Sequence, residues 1–121
     1  MVHDHNLDPV PGYDFQLFIV KGQEQKLIGN FLGIQFDWAE DVLTLERGIV
    51  SGAGLSALLP GQKIKVKTDE ALLVNPSSKV IDVLMNKTFS IKKILDVVAP
   101  EPSGRNAIIC KLVLEVEELC R

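Results

Sequence analysis

The last segment of the chain, Asn106 to Glu118, limits the fold more than any other. Ile108, Cys110, Leu112, Leu114 and Val116 occupy its even positions, and Lys111, Glu115 and Glu117 lie between them with Ile109 and Val113. Period-two patterning of this kind predicts a β-strand with one buried face. Run straight at about 3.3 Å per residue, thirteen residues reach about 43 Å. A compact domain of this size is about 35 Å across, from a radius of gyration of about 13–14 Å. The strand must therefore bend sharply or project. A projecting strand needs a partner for its backbone groups, and a second copy of the chain is the obvious one.

The rest of the chain reads in the same period. Tyr13 to Val20 alternates and is followed by the polar turn Lys21 to Gln25. A return strand from Lys26 carries Leu27, Ile28, Phe31, Leu32, Ile34, Phe36 and Trp38, with Gly29-Asn30 and Gly33 marking a bulge or kink. Two readings fit residues 37–48. Asp37 and Glu40 can form a helix capping box closed by Gly48, or a turn at 39–41 leads into a strand from Val42 to Glu46. The β context on both sides favours the strand.

Residues 49–61 are rich in Gly, Ser and Ala and close on a Pro60-Gly61 turn. They read as a long loop. Lys63, Lys65 and Lys67 alternate with Ile64 and Val66 in a strand with one solvated face. Asn75 and Pro76 open a short helix that runs to Asn86, with Val80, Ile81, Leu84 and Met85 on one side. Phe89, Ile91, Lys93 and Leu95 alternate in a further strand, and residues 99–105 form a loop. The expected fold is mainly β, a β-sandwich or partly open β-barrel with one short α-helix at 76–86. Pro9 and Pro11 make residues 1–12 an extended arm on a single domain, 13–121.

Composition narrows the function. The 121 residues are 46% hydrophobic and 24% charged, ordinary for a globular chain and unlike a disordered one. A net charge of −3 argues against tight non-specific binding to nucleic acid but leaves room for a local basic patch. The amino terminus lacks the order of a signal peptide, and no apolar run reaches the roughly 20 residues of a membrane span. A soluble chain with no membrane insertion is expected. Cys110 and Cys120 lie too far apart on one strand for a disulfide and read as thiols, with Cys110 in the core.

Candidate chemistry is sparse. Gly52-Ala53-Gly54-Leu55-Ser56-Ala57 matches G-x-G-x-x-A, but Pro60 leaves no room for the long helix a dinucleotide site needs. His3-Asp4-His5 in the arm offers two imidazoles without a cage. Both histidines lie there, so neither a serine nor a cysteine has a base in a packed pocket. Glu115 and Glu117 read as a solvated strand face. No catalytic, metal or cofactor site is expected, and the chain reads as a non-enzyme. The lysine stripe can track a phosphate backbone, although binding single strands also calls for exposed aromatics between the lysines.

The layout from Phe15-Gln16-Leu17-Phe18-Ile19-Val20 onward can be followed over most of residues 13–118. It runs through the kinked return strand, the acidic stretch before Gly48, the Gly/Ser loop, the helix at 76–86, Phe89-Ser90-Ile91, Pro102-Ser103-Gly104-Arg105 and the closing strand. This order resembles that of the major tail-tube proteins of contractile-tailed phages and related injection machines. The resemblance implies a β-sandwich or partly open barrel, six copies in a ring, and rings stacked into a virion tail tube assembled in the host cytoplasm. Its partners would be copies of itself and other tail or baseplate proteins, with nucleic acid met by passage or weak contact. Leu112, Leu114 and Val116 in the long strand, Pro9 and Pro11 in the arm, and Gly52 and Gly54 in the loop would make the contacts between copies. Lys111, Glu115 and Glu117 would face a lumen or form a polar face. The alternative is a small β-barrel binding module for nucleic acid or a protein partner.

Overall fold

A computed structural model of the chain describes residues 13–68, 87–99, 102–103 and 106–119. The elements, in order, are β1 (Phe15–Lys21), β2 (Glu24–Asp37), β3 (Val42–Ser51), α1 (Gly52–Ala57), β4 (Lys63–Thr68), β5 (Phe89–Val98), β6 (Pro102–Ser103) and β7 (Asn106–Glu118). The fold is mainly β. Six strands close into an antiparallel barrel in the order β1-β2-β3-β7-β5-β4, and β6 adds two residues beside the start of β7. The arm (1–12) and the expected helix (76–86) lie outside the described residues.

Turn chemistry sets the local connections. Lys21 pairs with Glu24 across a two-residue hairpin, and Gly22 sits at φ +62°, the position and sign that a tight hairpin asks of glycine. Gln62 N–H donates to the Leu59 carbonyl across Pro60-Gly61, with Gly61 at φ +94°, as a type II turn requires. Between β2 and β3, Asp37 Oδ1 accepts from the amides of Ala39 and Glu40, so the candidate capping side chain closes a turn instead of starting a helix. The strand reading of this region holds. It also extends further than expected, because β3 continues to Ser51.

Residues 52–57, expected to be loop, form a six-residue helix. The Ser51 hydroxyl accepts from Gly54 N–H at 2.9 Å and caps it. Gly54 lets the helix lie close on β2, since a Cβ there would stand 2.4 Å from Ile28 Cβ. Ile28 is itself the extra residue of a bulge. Leu17 pairs with Gly29 and Phe18 with Leu27, which leaves Ile28 unopposed and buried.

The long strand bends and does not project. Ala107 and Ile109 are buried, Cys110 and Lys111 are both exposed, and Leu112, Leu114 and Val116 are buried again. The buried face thus changes from odd to even positions at Cys110–Lys111. β3 changes parity beside it, with Leu43 and Leu45 inward before Arg47 and Gly48 and Val50 inward after it. β2 does the same at Leu32–Gly33, between buried Phe31 and the core-packed Ile34 and Phe36. One crease therefore crosses three strands. It is sharpest at Arg47, a non-glycine residue at φ +54°. Expecting Cys110 and Ile108 in the core was wrong for this reason: Cys110 is an exposed free thiol and Ile108 is 53% exposed.

A similar slip occurs on β5. Ile91 pairs with Val116 and Lys93 with Glu115, so Lys92 bulges; Ile94 pairs with Leu114 and Asp96 with Val113, so Leu95 bulges. Phe89 and Ile91 point into the core, but Lys93 and Leu95 are exposed and Ile94 takes the inward place.

Candidate interaction surface

The barrel uses almost every strand edge internally. β7 pairs with β3 from Asn106 to Glu115 and with β5 from Lys111 to Glu118. Leu112, Leu114 and Val116 fill the core of the barrel at 0–1% exposure, so their side chains are not presented to a second copy. Gly54 is buried against Ile28, and Gly52 opens α1, so both serve the packing of that helix. Pro9 and Pro11 lie outside the described residues. Lys111, Glu115 and Glu117 share the outer face of β7, as a polar face should. Glu115 meets Lys92 at 3.7 Å, Lys111 stands opposite Glu46, and Glu117 stands opposite Ser90.

Among the described residues one edge is left unpaired. β5 pairs with β4 at two positions, Lys63 with Ser90 and Ile64 with Phe89. The turn before β4 adds a pair of bonds at Ile91, whose carbonyl accepts from Gly61 N–H and whose N–H donates to the Gln62 carbonyl. Beyond that point no strand among the described residues pairs with this side of β5. The open stretch, Lys92–Val98, presents Leu95, Val97 and Val98 at 40–44% exposure. Three exposed aliphatics along a stretch that no described strand pairs with suit strand addition.

A second surface is basic. By register, Val20 stands opposite Lys63, Phe18 opposite Lys65 and Gln16 opposite Lys67, all on the outer face of β1 and β4. Lys67 Nζ lies 4.7 Å from the centre of the Phe18 ring. The aromatic missing from the lysine strand is therefore supplied by its neighbour. Sequence reasoning passed over Phe18 because it looked along β4 alone. The signal that could have found it is the large apolar residue on the solvent face of Tyr13–Val20.

A third feature is an apolar hollow of about 230 Å³ outside the crease, lined by residues that include Tyr13, Leu32, Ile49, Ile108 and Cys110, with Arg47 beside them. Among the described residues no three His, Cys, Asp or Glu side chains are grouped to hold a metal ion, and no helix is long and apolar enough to cross a membrane. Comparison with known proteins found no matching family model, no similar curated protein and no similar solved structure.

Proposed function

We propose that this chain is a structural subunit that joins to copies of itself through sheet pairing at the free edge of β5. The single observation that carries this is that no strand among the described residues pairs with this side of Lys92–Val98, where Leu95, Val97 and Val98 are exposed. Its work is geometric and involves no catalysis. The layout supports a component of a phage-tail or contractile-injection tube, located in a virion and contacting other tail or baseplate proteins.

Magnitudes favour a multi-contact assembly over an isolated pair. Covering the exposed part of each aliphatic is worth about 1 kcal/mol. Association costs at least about 4 kcal/mol in lost freedom. One seam is therefore marginal, while a ring holds every copy twice and gains from effective concentration. A cooperative rise in mass with concentration follows.

The test is solution mass across concentration with negative-stain imaging, on the wild type and on a Leu95→Lys/Val97→Lys chain. The wild type forms closed or stacked species. The double variant stays monomeric, and its unfolding midpoint, measured alongside, shows that the barrel is still folded, since Leu95 and Val97 are 44% and 40% exposed. A wild-type monomer at every concentration, or assembly that ignores the double substitution, overturns the proposal. The alternative, a binding module, is favoured by the separate lysine face around Phe18.

A further inference from the structure

The outer face of β1 and β4 has the composition of a binding surface in its own right. Lys63, Lys65 and Lys67 point the same way, at intervals of about 6.7 Å along the strand. That spacing is close to the separation of successive phosphates on an extended single strand. Among the described residues, none of the three ammonium groups lies within ion-pair distance of a carboxylate. The ion pairs among them are Lys87, just before β5, with Glu118 and Lys92 with Glu115, away from this face. The chain carries −3 overall, yet the outward positions of β1 from Gln16 to Val20 and of β4 from Lys63 to Lys67 hold three cations and no acid. Asp14, two residues before Gln16, bounds the stripe at one end.

We propose that this face binds single-stranded nucleic acid. Lys63 and Lys65 meet phosphates. Phe18, half-buried among the lysines, offers a π-face on which any base stacks. In the free protein Lys67 covers that ring; on binding, its ammonium moves to a phosphate and the base takes its place. A duplex fits poorly, because the outer surface of a barrel presents no helix or ribbon to enter a groove. An acidic peptide would satisfy the lysines but leave the ring unused. The aromatic at the centre therefore decides between the two polyanions. This site is distinct from the β5 edge and does not depend on self-assembly.

The experiment is a titration of the full chain with a fluorescent oligothymidylate of about 12 nucleotides at several salt concentrations. A duplex of equal length and a polyglutamate of equal charge are run beside it. Three phosphate contacts give a slope of about −2 in log affinity against log salt. Lys65→Gln reduces that slope by about 0.7. Phe18→Leu keeps an apolar side chain and weakens oligothymidylate binding by about five- to a hundred-fold while leaving polyglutamate unchanged. Unfolding midpoints of both variants are measured alongside. Tighter binding to duplex, equal binding of polyglutamate with no effect of Phe18→Leu, or no binding at low salt each overturns the assignment.

Discussion

Gly48 has no side chain because nothing would fit. A Cβ there would stand 2.3 Å from Phe31 Cδ2 and 2.4 Å from the Asn30 carbonyl oxygen. Phe31 is its direct partner across β2–β3, and the ring covers the gap that glycine leaves. The backbone oxygen cannot swing aside, so Gly48→Ala is expected to cost about 3 kcal/mol, read as a fall in the denaturant midpoint. Arg47, one residue earlier, behaves in the opposite sense. Its left-handed backbone costs a non-glycine residue about 1–2 kcal/mol, partly offset by the greater unfolded-state freedom of glycine. Arg47→Gly is expected to raise stability by about 0.5 kcal/mol in the same assay. The two positions also show what was legible. Gly22 and Pro60-Gly61 announced their turns, since their residue types are the turn chemistry. Gly48 entered only as the close of the rival helix, because the ring above it comes from another strand, and Arg47 gave no sign of its conformation.

The element that promised most shows both sides of the same lesson. The bounds of β7, Asn106 and Glu118, are those read from alternation, and the inward Leu112, Leu114 and Val116 follow the pattern. The pattern fails at its other end because parity is reset at Cys110–Lys111. That reset is shared with β2 and β3, and Gly33 was its one visible trace. A plain alternating strand would make Ile108 and Leu112 equivalent. The crease separates them. Leu112→Ala removes a fully buried side chain and should cost about 2–5 kcal/mol. Ile108→Ala, on a side chain 53% exposed, should cost less than about 1 kcal/mol. Equal losses in thermal unfolding would mean that β7 runs without the parity change. The burial of Leu112 also makes it a poor place to probe assembly, since any disruption there unfolds the barrel first. Val97 and Leu95 are the informative positions: the bulge at Leu95 puts that side chain outside against the sequence pattern, and Val97, opposite Leu112 in the register, is 40% exposed all the same.

At the scale of the whole molecule, closure depends on pairings between distant segments, β3 with β7 and β1 with β4. No local signal specifies which strand neighbours which, so the sequence supported a mainly β fold while leaving sandwich and barrel open. Closure leaves the far half of β5 without a paired strand among the described residues, and the proposed association uses that edge. Two symmetries follow from one edge. If β5 pairs with β5 of a second copy, the contact is isologous and stops at a dimer; if β5 pairs with a different surface, the contact is heterologous and continues into rings or filaments. A tube component needs the second. Mixing distinguishes them. In a heterologous assembly the Leu95→Lys/Val97→Lys chain has lost its β5 edge but keeps the complementary surface. It should add to one end of a growing assembly and stop it. Equal amounts of tagged variant and wild type should then give short mixed species in place of large ones. In an isologous pair the variant has nothing left to offer, so wild-type dimers persist and the tagged chain stays monomeric. Co-purification through the tag, with the mass of what it carries, reads the outcome directly. Mixed, shortened species support a tube-like assembly, and recovery of the tagged monomer alone rules out a head-to-tail contact at this edge.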